Sequence, residues 1–148
     1  MCDHLSDTAI PQALVQNPPN SGSVCLAVDY DKTSIFDLDD VTRVQITDNR
    51  IKMIDKNLPQ WDAWDTGIFL CTAAIFEGLE KAAKVNKHGL SDALRELAQE
   101  GQAVTVDVTG QSWLDVDTPQ ALHEAEHRLL QTLSDKPSAG PVARPLNR

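Results

Sequence analysis

Glycine is sparse in this chain of 148 residues, and it is never clustered. The seven glycines fall at positions 22, 67, 78, 89, 101, 110 and 140, never as G-x-G. That excludes a glycine-rich phosphate cradle of the Walker or dinucleotide type. Cysteine is scarce as well: Cys2, Cys25 and Cys71 are odd in number, far apart and without a C-x-x-C pair. A zinc cage and a disulfide framework are both excluded, and the pattern reads as reduced thiols in a cytoplasmic protein. Positive charge is in deficit, with 13 Lys plus Arg against 22 Asp plus Glu, a net charge of −9. A nucleic-acid groove needs clustered cations, so nucleic acid is not an expected partner. Anionic small molecules remain possible through local cations or a bridging metal. The longest apolar run, from Ile68 to Phe76, is broken by Thr72 and falls far short of the ~20 residues of a membrane span. Met1-Cys2-Asp3-His4 shows no basic segment leading into an apolar one, so no secretory signal is expected.

What is present is a globular composition, 41% hydrophobic and 24% charged. Val24 to Asp29 is a short apolar run suited to a buried strand. Thr42 to Thr47, the polar turn Asp48-Asn49-Arg50 and Ile51 to Ile54 read as a hairpin. Thr66 to Cys71 is a further buried strand, and Ala73 to Lys84 carries Ile75, Phe76, Leu79 and Ala83 at helical spacing. Ser91 is the expected cap of a helix bearing Leu94, Leu97 and Ala98 and stopped by Gly101. Ala103 to Val108 and Ser112 to Val116 read as strands. Thr118-Pro119 opens a last helix with Leu122, Ala125, Leu129 and Leu133 as its apolar stripe. The class is α/β with a mixed sheet. Residues 1–133 read as one compact domain, and 134–148 (SDKPSAGPVARPLNR), with three of the eight prolines, as a linker or tail.

Three short patterns point to different chemistries. His123-Glu124-Ala125-Glu126-His127 is a literal H-E-x-x-H. Both histidines flank the expected apolar stripe, no third ligand follows, and a solvated helix face is the better reading. Val24 to Thr33 is an apolar strand ending in D-x-D-x-T, the pattern of haloacid-dehalogenase-type phosphatases. There Asp29 would attack phosphorus and Asp31 would handle the proton. Third, Trp113-Leu114-Asp115-Val116-Asp117-Thr118-Pro119 puts two carboxylates at a strand end before a helix, a place suited to a hard cation such as magnesium.

The third pattern has company. Read with MCDH, VDYD, VTRVQITDNRI, DKNLPQWDAWDTGIFLC, LSDALRELAQEG and WLDVDTPQALHEAE, it resembles the sugar-phosphate nucleotidyltransferases of the MobA-like NTP transferase superfamily. More narrowly it is similar to the inositol-1-phosphate cytidylyltransferase domain of bifunctional CDP-inositol/phosphatidyltransferase enzymes. The likeness spans nearly the whole chain, and the tail KPSAGPVARPLNR resembles the linker that leads into their membrane-embedded synthase half.

The resemblance implies the C-terminal part of a Rossmann-like nucleotide-diphospho-sugar transferase fold. It also implies transfer of a cytidylyl group from CTP to a sugar or polyol phosphate, here inositol-1-phosphate, with release of pyrophosphate. By the same resemblance Asp3 and Asp117 would hold Mg2+, with Asp115 behind them or as the alternate ligand. Lys56 would meet the acceptor phosphate, and Asp65, Thr66 and Gly67 would line the acceptor pocket, glycine letting the backbone approach the substrate. Trp61 and Trp64 would cover that loop. Asp55 stands where relatives carry glycine, and the family's glycine-rich loop with its arginine and lysine has no counterpart in these residues. The phosphatase, and a non-catalytic segment that needs a further N-terminal segment, stand as the alternatives.

Overall fold

The computed structural model describes residues 3–33 and 41–135, the last three by their backbone alone. The acidic stretch of Asp37, Asp39 and Asp40, and the expected tail from 136 onward, lie outside these residues. The elements in chain order are β1 (His4–Ser6), α1 (Ala9–Gln16), β2 (Val24–Asp29), β3 (Arg43–Thr47), β4 (Arg50–Asp55), β5 (Ala63–Cys71), α2 (Ala74–Lys84), α3 (Leu90–Gln99), β6 (Ala103–Asp107), β7 (Trp113–Asp115) and α4 (Pro119–Asp135). Two compact units result, Met1–Asp115 and Val116–Arg148.

In the first unit five strands run in the order β2-β5-β3-β4-β6, and β6 closes back on β2. The β2–β6 pair is parallel and the others are antiparallel, so the sheet is mixed. The β3–β4 hairpin turns at Asp48 and Asn49, both with positive φ (50° and 58°). That is the backbone a two-residue turn between right-twisted strands requires, and Asp and Asn tolerate it best after glycine.

Alternation along β2 divides the interior. Val24, Leu26 and Val28 pack with Val44, Ile51, Ile54 and the inner faces of α2 and α3. Cys25 and Ala27 face the other way, against Ile10 and Leu14 of α1 and Val108. The Cys25 thiol is pushed up to about 11 by burial.

Two local expectations need correction. Gly89, not Ser91, caps α3: its backbone is extended, and the Asp92 carboxylate accepts its N–H at 3.2 Å. A side chain that reaches back from the third helical position does the capping, so the hydroxyl at Ser91 falls inside the helix. In the second unit Thr118 does cap α4, its hydroxyl accepting the Ala121 N–H at 3.1 Å. The buried stripe of α4, however, is Ala121 and Ala125, while Leu122 and Leu129 are about half exposed. The segment before β2, which alternation left unassigned, contains β1 and α1. A three-residue strand carries too little pattern to be seen, and Pro11 sits in the first turn of α1, where a missing N–H costs nothing.

Candidate functional site

A second, two-stranded sheet pairs β1 with β7, antiparallel, with His4 opposite Asp115, Leu5 opposite Leu114 and Ser6 opposite Trp113. The ladder continues past Ser6: the Asp7 N–H donates to the Ser112 carbonyl and the Asp7 carboxylate accepts the Ser112 N–H, both at 2.8 Å. Residues directly opposite on an antiparallel pair share a face, so this register puts the His4 ring and the Asp115 carboxylate together. His4 Nδ1 lies 3.1 Å from Asp3 Oδ1 and 3.8 Å from Asp115 Oδ1. One donor atom from each of the three residues lies within 4.8 Å of the other two. Hydrogen bonding to His4 holds the Asp3 carboxyl below the usual carboxylate range.

The D-T-G stretch of β5 forms the floor beside this corner, and each residue has a distinct task. The β2–β5 register shifts between Leu26 and Val28, whose partners Phe69 and Asp65 are four residues apart. Thr66, Gly67 and Ile68 are therefore thrown into a bulge. The Thr66 hydroxyl, fully buried, anchors the bulge by donating to the Ala27 carbonyl at 2.8 Å. The Asp65 carboxylate accepts the Gly67 N–H at 2.7 Å. Burial pushes Asp65 up to about 6, with that hydrogen bond and the nearby His4 pulling the other way. Gly67 has φ +73°, and a Cβ there would stand 2.0 Å from His4 Nε2. The group that comes close to this glycine is the imidazole of His4.

Lys56 lies exposed in the turn after β4. Asp55 beside it is tied down, accepting from Arg95 Nη2 at 2.9 Å and from the Asn57 N–H at 3.0 Å. The Asp55 carboxylate thus braces the lysine's turn against α3. Trp61 and Trp64 pack with ring centroids 3.9 Å apart. Lys32 Nζ lies 4.0 Å over the Trp61 ring and donates to the Trp61 carbonyl at 2.7 Å.

No family model matches the chain. Curated proteins are nonetheless similar to this chain over all of its own length. The chain is 32% identical over 149 residues to the bifunctional IPC transferase and DIPP synthase of Aquifex aeolicus, covering 100% of this chain and 32% of that protein. It is 34% identical to the protein of the same name from Rubrobacter xylanophilus, covering 99% and 33%. The chain therefore spans about a third of the length of the curated relatives it matches. Among solved structures, the inositol-1-phosphate CTP transferase from T. maritima superposes with a TM-score of 0.71 at 22% identity, over 93% of this chain and 55% of that one. A putative glucose-1-phosphate thymidylyltransferase from Bacillus anthracis follows at 0.65 and 17%, over 94% and 54%. The fold is that of a nucleotidyltransferase. In sequence the chain is similar to about a third of the bifunctional IPC transferase and DIPP synthases.

Against that relationship the phosphatase reading falls, and the geometry gives a reason. Asp29 is buried, and both its oxygens are engaged: Oδ1 accepts the Asp31 N–H and Oδ2 accepts Trp113 Nε1–H, each at 2.9 Å. An attacking carboxylate needs an open oxygen; this one fastens β7 to the end of β2. The H-E-x-x-H motif is a solvated face, as expected. His123 and His127 are exposed, Glu124 is paired with Arg128 at 2.6 Å, and His127 meets Gln131 at 3.3 Å. Asp117 is exposed and lies near the start of the second unit.

Among the described residues the only group of three metal-ligating side chains is Asp3, His4 and Asp115. Two carboxylates and an imidazole suit a divalent cation. His4 is the residue that sequence reasoning missed. Its adjacency to Asp3 is visible, but its pairing with Asp115 depends on a register between strands at opposite ends of the unit.

Proposed function

We propose that this chain supplies the acceptor and metal side of a nucleotidyltransferase that moves a cytidylyl group from CTP to inositol-1-phosphate. An oxygen of the acceptor phosphate forms a bond to the α-phosphorus, the bond to the β-phosphate oxygen breaks, and pyrophosphate leaves. Such chemistry depends on positioning and charge neutralisation rather than on covalent help from the protein. The observation that carries the reading is the convergence of Asp3, His4 and Asp115 beside the D-T-G bulge.

Asp3 and Asp115 are the carboxylates assigned to Mg2+, with Asp117, two positions further on, as the other arrangement. Bound there, the cation would offset the negative charge of the substrate phosphates, which a protein of net charge −9 repels. Lys56, exposed and braced by Asp55, meets the acceptor phosphate as a point cation. Asp65 orients Gly67, and Thr66 holds the bulge that both sit on. Cys25 and Cys71 are free thiols, in keeping with a cytoplasmic setting. No described helix is long and apolar enough to cross a membrane.

The test is pyrophosphate release from CTP that requires both inositol-1-phosphate and a divalent cation, run beside titration of the acceptor alone. Lys56→Ala should weaken acceptor binding roughly ten- to a hundredfold, the effect of removing a charged hydrogen bond worth about 1.5–3 kcal/mol. A folded protein that neither binds inositol-1-phosphate nor releases pyrophosphate would overturn the reading.

A further inference from the structure

We propose that His4 sets the choice of cation: its Nδ1 is a direct nitrogen ligand beside the Asp3 and Asp115 carboxylates, and the site prefers Mn2+ to Mg2+. This rests on the assignment of a divalent cation to that corner and adds a specificity-determining residue to it.

Three observations point the same way. The β1–β7 register places His4 opposite Asp115, so imidazole and carboxylate share a face without any bend of the chain. The ring is also held in one orientation. Its side chain is only 10% exposed. The Nε2 edge fills the space that a Cβ at position 67 would take, with Nε2 at 2.0 Å, Cδ2 at 2.7 Å and Cε1 at 2.8 Å from that point. With Nε2 against the bulge, Nδ1 is the nitrogen left facing the two carboxylates, at 3.1 and 3.8 Å. The three donor atoms also lie close to one another. Bonds of ~2.1 Å put neighbouring donors of an octahedral cation about 3.0 Å apart and opposite donors about 4.2 Å apart. The three donors lie within 4.8 Å of one another, so one ion would draw them only slightly closer.

The donor chemistry then decides between cations. Mg2+ dehydrates reluctantly and keeps an all-oxygen, largely aquo shell, whereas Mn2+, a softer transition-metal ion of similar coordination number, takes an imidazole beside carboxylates more readily than Mg2+ does. The competing role for His4 is a Nδ1–H donor that merely orients Asp3 Oδ1, and the two roles give different spectra.

The experiment uses the full 148-residue chain with MnCl2 or MgCl2 and no nucleotide. Calorimetry should give Mn2+ at least tenfold tighter binding than Mg2+, and pulsed EPR of the Mn2+ complex should show coupling to an imidazole 14N. His4→Ala should remove that coupling and weaken Mn2+ at least tenfold, while Mg2+ changes by less than about threefold. The wild-type spectrum decides the matter even where the variant folds poorly. Bound Mn2+ without 14N coupling, or equal affinity for the two ions, would overturn the proposal. Cytidylyl transfer is a separate readout. Turnover with Mg2+ and no 14N coupling sinks this inference alone; 14N coupling without turnover sinks the proposed reaction and leaves His4 as a ligand.

Discussion

Two sets of histidine and carboxylate in this molecule make an instructive pair. On α4, His123, Glu124 and His127 have the spacing of a zinc motif within five consecutive residues, yet both histidines are exposed and the glutamate is paired with Arg128. In the β1–β7 corner, Asp3, His4 and Asp115 come from stretches far apart in sequence, yet their donor atoms converge. The first set is close in sequence and carries nothing that holds it to a ligand. The second is assembled by strand register and by a glycine bulge that seats the ring. Spacing along one helix creates an opportunity; burial, register and a fixed ring orientation make a site.

The largest expected difference between the two sets is in cation affinity. Asp115→Asn and Asp3→Asn should each weaken divalent-cation binding by roughly a hundredfold or more, beyond the range seen when supporting groups around a metal are removed. Asp117→Asn, measured by the same titration, separates the two ligand arrangements. A loss at Asp117 with none at Asp115 would move the site to the second carboxylate of the W-x-D-V-D-T-P stretch.

Gly67→Ala attacks the corner through its seat. The φ of +73° costs about 1–2 kcal/mol for a residue with a side chain, and the new methyl must displace the His4 ring, about 1–3 kcal/mol more. Denaturant unfolding should register a loss of about 2–5 kcal/mol. A neutral result would mean that the ring moves aside without cost.

Asp65 offers a pH test with a definite sign, run with a chelator present. Its folded value of about 6 lies above the unfolded value of 3.8, because burial opposes the charge. Stability from this group is therefore complete below pH 3.8 and is lost as pH rises to about 6, where the unfolded chain has already released its proton. At about 1.4 kcal/mol per pH unit the loss approaches about 3 kcal/mol. Asp65→Asn should thus be more stable than wild type at pH 7 by up to that amount, with the gain vanishing below pH 4. An equal gain at every pH would show that charge is not its source.

The smallest effect belongs to the helix motif. His123→Ala combined with His127→Ala should change stability by no more than about 0.5 kcal/mol and leave cation affinity untouched. Any weakening of the cation would erase the contrast between the two sets.

Much of this protein follows from local pattern. The apolar run Val24 to Asp29 became β2 with both faces buried, and Asp48-Asn49 turned the hairpin as those side chains allow. The Thr118 cap formed as written, and D-T-G-I-F with W-x-D-V-D-T-P pointed to the nucleotidyltransferase relationship. These features depend on residues within a turn or two of one another, so their energetics are legible in one dimension. What only the tertiary structure decided is where distant segments meet. Whether Ser91 or Gly89 caps α3 turned on the reach of Asp92, and whether the leucines of α4 are buried turned on packing that periodicity does not contain. His4 was invisible as a site residue for the same reason: a three-residue strand has almost no signature of its own. Its partner Asp115 is specified by hydrogen-bond register, and its seat by the missing Cβ of Gly67, a vacancy that matters only once β5 bulges toward β1.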